Sequence, residues 1–161
     1  EYLPRVLDAR VKRLLAGMGA VVLEGPRACG KTSTALQHAN SSVRLDIGPQ
    51  VRALAEHDPL ALLGGKPPLL VDEWQLAPDL WNVIRHEIDA RQAPGQFILS
   101  GSVTPPDDPG RHSGAGRFAR VRMRPMALGE NGRSSGQVTL KNLGAEDRKS
   151  TRLNSSHLEL S

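Results

Sequence analysis

The run AVVLE, residues 20–24, passes straight into Gly-Pro-Arg-Ala-Cys-Gly-Lys-Thr, residues 25–32, and then into a helix-forming stretch, KTSTALQHAN. This juncture constrains the fold more than any other feature. An apolar, β-branched strand must end, curl, and become a helix within one short turn. Gly25 and Gly30 allow the backbone to curl so that successive N–H groups point inward. The helix beginning near Lys31 adds its positive N-terminal end. A concave cluster of donors of this kind suits a phosphate. Lys31 reaches toward outer phosphates, and the Thr32 hydroxyl suits Mg²⁺. The candidate phosphate-binding set is therefore Gly25, Pro26, Arg27, Ala28, Cys29, Gly30, Lys31, Thr32 and Ser33. The alternative is a chance match in a Gly-rich turn, and the flanking strand and helix weigh against it.

The rest of the chain repeats the same alternation. LPRVLDARVKRLLAG carries Val6, Leu7, Val11, Leu14 and Leu15 at helical spacing and ends at Gly17. SVRLDI, PPLLVDEWQ, GQFILSGS and FARVRMRP read as further strands. Between them, PQVRALAEHDPLALLGG is helical but broken near Pro59 and stopped by Gly64-Gly65. PDLWNVIRHEIDAR is amphipathic, with Leu80, Val83, Ile84 and Ile88 on one stripe. VTPPDDPGRHSGAGR has no periodicity and reads as loop. Apolar strands alternating with helices predict a three-layer αβα fold around a mainly parallel sheet of about five strands.

LLVDEWQ is the second chemical feature. A buried strand ending in two acids delivers Asp72 to the Mg²⁺ shell and Glu73 toward an attacking water, as the general base. Two solvated acids at a strand end are the plainer alternative. FILSGS ends in hydroxyls able to sense a terminal phosphate; Ser100 is preferred over Ser102, with simple strand capping as the alternative. Arg117, after the small residues of HSGAG, is a candidate finger for a neighbouring subunit's site, with a surface arginine on a flexible loop as the plainer alternative and Arg111 a weaker candidate. Arg120, Arg122 and Arg124 share one face by period two. That face suits acidic partners or nucleic acid, although a charged edge that discourages aggregation is the preferred reading. Trp74 and Trp81 are expected to pack rather than stack on bases, Cys29 to fill the loop, and Asp46 to cap. His38, His57, His86 and His112 show no metal-ligand spacing.

Composition sets the class. A chain of 161 residues suits one domain. The formal charge of +4 is too mild to imply nucleic acid. One cysteine allows no internal disulfide and fits a reducing cytosol. The first residues show no basic-then-apolar pattern, so no signal segment is expected, and no apolar run in the sequence is long enough to span a bilayer. The expectation is a cytoplasmic protein that does not enter membranes.

With these residues assembled, the chain resembles a prokaryotic AAA+ ATPase of the type followed by a nuclease-like C-terminal domain of unknown function. The similarity covers about Tyr2 to Glu130 and rests on YLPRVLD, GPRACGKT, VRLD, LVDEWQ…PDLWNVIR, QFILSGS and HSGAGRFARVRMRPMALGE. The resemblance implies ATP and Mg²⁺ bound at Gly25–Thr32 and Asp72. It also implies an additional-strand sheet in which the Ser100 strand lies between the other two site strands. Residues 1–130 are expected to form the ATPase core, 131–146 a polar linker toward a missing C-terminal domain, and 147–161 an artefact. DRKSTRLNSSH, Asp147–His157, matches a translated sequencing adapter. ATP, the missing domain and a homo-oligomer are the expected partners. Two other functions remain open: a small-molecule P-loop kinase with DDPGRHSGAGR as its lid, and a nucleotide-dependent switch or nucleic-acid-binding module with little turnover.

Overall fold

The computed structural model describes residues 2–102 and 114–133. The chain divides into two compact units, Glu1–Met126 and Ala127–Ser161. The first contains helix α1 (Asp8–Leu15), strand β1 (Ala20–Glu24), α2 (Lys31–His38), β2 (Ser41–Arg44), α3 (Pro49–His57), and α4 (Pro59–Leu62). These are followed by β3 (Leu69–Asp72), a 3₁₀ turn (Trp74–Leu76), α5 (Leu80–Arg91), β4 (Phe97–Gly101) and β5 (Phe118–Arg122). The second unit is described over 127–133 only. There, the Ala127 N–H is closed by the Glu130 carboxylate at 2.7 Å.

All five strands are parallel, in the order β2-β3-β4-β1-β5. The three-layer α/β fold with a mostly parallel sheet is as the alternation of strands and helices predicts. β4 lies between β1 and β3, as the resemblance implies.

The inner strands supply alternate residues to two apolar layers, because successive side chains point to opposite faces. Val22, Val71, Leu99 and Phe97 join Trp74, Trp81, Ile84 and Ile88 on the α5 side. Val21, Leu23, Leu70, Ile98 and Val121 join Val11 and Ala35 on the α1–α2 side. Strands buried on both faces explain why the central ones read as near-continuous apolar runs.

Local chemistry sets the breaks. Asp58 ends α3 and caps α4, accepting from the Ala61 N–H at 3.2 Å. The break near Pro59 is therefore real. Val6 departs from the predicted stripe: it precedes α1 and is 84% exposed. The helix begins only at Asp8, so the 3.6-residue spacing does not extend back to Val6. Trp74 and Trp81 are buried at a centroid separation of 5.3 Å, and Trp81 stacks on Phe118 at 4.0 Å.

Candidate functional site

The site forms at the C-terminal ends of β1, β3 and β4. Parallel strands bring these ends to one edge of the sheet, and β1 hands directly into the loop. Gly25 opens the loop where no side chain fits; a Cβ there would lie 2.5 Å from the Met123 carbonyl oxygen. Gly30 closes it at φ +94°, the left-handed geometry that starts α2. Ala28 adopts φ +59° between them. A non-glycine residue there is uncommon, and such conformations cluster at functional sites.

Lys31 is buried, and its Nζ donates to the carbonyls of Gly25 at 2.9 Å and Pro26 at 2.7 Å. The ammonium thus fastens the loop onto itself. Thr32 Oγ1 donates to both oxygens of the buried Asp72 carboxylate, at 3.1 and 3.0 Å. Ser100 Oγ donates to the same carboxylate. Arg44, register partner of Asp72 on β2, brings its Nε to 3.9 Å from Asp72 Oδ2. Arg44 also pairs with Asp46, whose hydrogen bond and charge raise the guanidinium pKa. Asp46 therefore sits just past the end of β2 as an ion-pair partner of Arg44.

Glu73 follows β3 at φ +56°, an abrupt change of direction that lets both acids face the loop. Gln75 Nε2 donates to Glu73 Oε2. A cavity of about 290 Å³ is lined by Lys31, Thr32, Ser33, Glu73 and Ser102, with loop residues closing it. Of the two serines weighed from sequence, Ser100 is engaged with Asp72, whereas Ser102 lines the cavity. A larger cavity of about 550 Å³ adjoins the other side of the loop, walled by Tyr2, Arg5, Ala28, Gly30, Pro125 and Met126.

The N-terminal residues of that wall were missed in sequence reading, because helical spacing gave them no role outside α1. They are tightly held. Tyr2 Oη donates to both Asp8 oxygens at 2.8 and 2.9 Å, the Arg5 N–H donates at 2.7 Å, and His38 Nε2 lies 3.0 Å away. Burial works against the Asp8 anion. The Arg5 N–H, His38 and Tyr2 outweigh it and hold the carboxyl below its usual range. Burial, opposed by the Thr34 hydrogen bond and aided by Asp8, pushes the Tyr2 phenol up. YLPR before the helix was the available signal.

Arg117 does not join the other site residues. It precedes β5, whose start is level with Ala20 at the opposite end of the sheet from the loop. Its Nε lies 2.5 Å from Asp89 Oδ1. The Arg117 hydrogen bond lowers the Asp89 pKa, and the same contact raises that of Arg117. Arg111 and His112 lie outside the described residues. Arg120 pairs with Glu24 and lies over the Trp81 ring at 5.2 Å, while Arg122 and Arg124 are exposed. No His, Cys, Asp and Glu cluster able to hold a metal occurs among the described residues, and no helix there is long and apolar enough to cross a membrane.

Residues 18–131 match the family model described as an AAA domain. The chain belongs to that AAA family. It is an AAA-type P-loop module built on the β2-β3-β4-β1-β5 sheet. Two curated relatives, uncharacterized proteins of Mycobacterium tuberculosis and Mycobacterium bovis, are each 33% identical to this AAA chain over 132 residues. Those matches cover 79% of the chain and 30% of each relative, so the chain spans under a third of their length. Among solved structures, PCH-2 of C. elegans matches with a TM-score of 0.38 and 16% identity, over 73% of this chain and 41% of that one.

Proposed function

We propose that this AAA module binds Mg-ATP and hydrolyses its terminal phosphoanhydride, passing the resulting conformational change to a C-terminal domain. The observation that carries the proposal is the convergence on one carboxylate: Asp72 accepts from Thr32 of the loop helix and Ser100 of the intervening strand, while Glu73 lines the loop's cavity. The roles of individual residues follow from their chemistry.

An ammonium has three donors. Two of those on Lys31 hold Gly25 and Pro26, leaving one for a phosphate oxygen. The backbone N–H groups of the loop and the start of α2 supply further donors. Thr32 and Asp72 present only hard oxygen donors within 3.1 Å of one another, a set that fits Mg²⁺. They would hold the ion, whose chemistry is to offset charge on the phosphates. Ser100 holds Asp72 in that orientation, and Ser102 faces the phosphate end. Glu73 accepts a proton from the attacking water as its oxygen bonds to the terminal phosphorus and the bridging oxygen departs with ADP. The larger cavity beside the loop takes the nucleoside. Arg117 is assigned to a neighbouring subunit's site, since its own loop lies at the far end of the sheet. Coverage of 30% of each relative supports reading the chain as one module of a longer protein.

The test is titration of labelled ATP against the parent chain and Lys31→Ala. The variant is expected to lose measurable affinity, because the loop then loses both its internal fastening and its phosphate-facing cation. Equal affinity in the two proteins would show that the loop is not a phosphate site.

A further inference from the structure

We infer that Arg5 is a positioning residue that sets the phosphate-facing geometry of the loop from outside it. The inference rests on the proposed reading of residues 25–33 as a phosphate site. Arg5 is only 9% exposed, although arginine is rarely buried unless paired. Its Nη1 donates to the Cys29 carbonyl at 2.9 Å, and its Nη2 donates to the Arg124 carbonyl at 2.9 Å. One guanidinium thereby bridges the loop and the exit of β5. The planar fork makes this possible, since its donors diverge in fixed directions.

The consequence for the loop comes from peptide geometry. In a trans peptide the carbonyl and the following N–H point in opposite directions. Fixing the Cys29 oxygen on Arg5 therefore turns the Gly30 N–H the other way, away from the guanidinium. Lys31 does the same for the first half of the loop by holding the Gly25 and Pro26 carbonyls, and so orients the Arg27 N–H. Two cations thus fix carbonyl orientation along the loop, Arg5 at Cys29 and Lys31 at Gly25 and Pro26, and with it the directions of the Gly30 and Arg27 N–H groups. Gly30 is held at φ +94°, which favours glycine, and a Cβ there would also crowd Arg5 Nη1 at 3.2 Å.

Arg5 is itself locked. Asp8 accepts from its N–H at 2.7 Å, and the Arg5 carbonyl accepts from the Asp8 N–H at 3.0 Å. Asp8 is tied to α2 through His38 at 3.0 Å. The loop therefore depends on a residue that precedes Cys29 by 24 positions in sequence.

The chain has one cysteine, Cys29, which is buried within the loop and can report on its opening. The experiment follows the rate at which a chromogenic aromatic disulfide reacts with Cys29, well below the thermal midpoint and without nucleotide. In parallel, ATP and inorganic tripolyphosphate are titrated. Arg5→Ala should speed Cys29 reaction by about tenfold or more and weaken both ligands by a similar factor, the scale of one charge-assisted hydrogen bond. Arg5→Lys, which keeps the charge but not the fork, should recover only part of both effects and serves if the alanine variant does not fold. A role confined to overall stability would lower the midpoint while leaving reactivity and affinity of the folded protein at parent values; that result overturns the assignment of Arg5 alone. Failure of the parent to bind either compound overturns the phosphate reading itself, and the assignment with it.

Discussion

Gly25→Ala isolates a purely steric constraint at the mouth of the loop. Gly25 does not adopt a positive φ, so an added methyl brings no backbone strain of the left-handed kind. Its Cβ would instead stand 2.5 Å from the Met123 carbonyl oxygen and 3.1 Å from Cys29 Sγ. The first distance is about 0.9 Å short of ordinary contact, which begins at 3.4 Å. The nearer neighbour cannot yield easily. The Met123 N–H donates to the Glu24 carbonyl at 2.6 Å, so the end of β5 is tied to the residue beside Gly25. The Met123 side chain is 1% exposed and belongs to the core. Relief requires parting β1 from β5 or displacing the loop, and overpacking of this sort costs about 1–3 kcal/mol. For a chain of this size that corresponds to a midpoint lower by about 3–10 °C in thermal unfolding followed by circular dichroism. Gly17→Ala is the control, since nothing lies within 4 Å of its Cβ position. A Gly25→Ala protein that melts with Gly17→Ala, within about 0.5 kcal/mol of the parent, would refute the reasoning.

Glu73→Gln should keep ATP binding and abolish hydrolysis, because the amide preserves shape but cannot take the proton; release of phosphate at the parent's rate would remove Glu73 as the base. Arg117→Ala should leave ATP affinity intact and lower turnover by about 10³-fold in an assembled full-length protein, with partial recovery on mixing with Lys31→Ala. A strictly monomeric, active enzyme indifferent to Arg117→Ala removes the finger. Asp8 has a depressed folded-state pKa, so its contribution to stability is complete above the unfolded value of about 3.9 and is lost as pH falls through the lower folded value. Asp8→Asn should therefore narrow the stability difference between neutral pH and pH values below about 4, and identical acid profiles by chemical denaturation would count against the Tyr2–Asp8–His38 network.

The sequence made the scaffold legible because its period changes are abrupt. AVVLE, LLVD and FILS are continuous apolar runs, as strands covered on both sides must be. The loop and the Asp72-Glu73 pair were readable because each is local in sequence. What escaped reading is non-local. Arg5 meets Cys29 and Arg124 only after the sheet has formed, and nothing in YLPR states that distance. Gln75 escaped for a different reason: it lies beside Glu73 in sequence, but the contact depends on the left-handed turn at Glu73, which glutamate rarely marks. Ser100 and Ser102 looked interchangeable from sequence. Their positions on and just beyond a buried strand separate them, one bonded to Asp72 and the other lining the cavity.

The parallel sheet also fixes when in the life of the chain the site can exist. β1 lies between β4 and β5, strands that follow it by many tens of residues, and no hairpin joins any neighbouring pair among the described residues. Contacts of such long separation close late. During synthesis the loop and α2 emerge early, yet Gly25 has no Met123 carbonyl to pack on and Arg5 has no Arg124 carbonyl to grip until β5 is made. A chain halted before Phe118 carries every residue of the phosphate loop and both acids but lacks the strand against which the loop is fastened. On the proposed reading of this loop as a ligand site, competence to hold a ligand would mark completed assembly, and occupancy would favour the finished fold over every shorter intermediate by mass action.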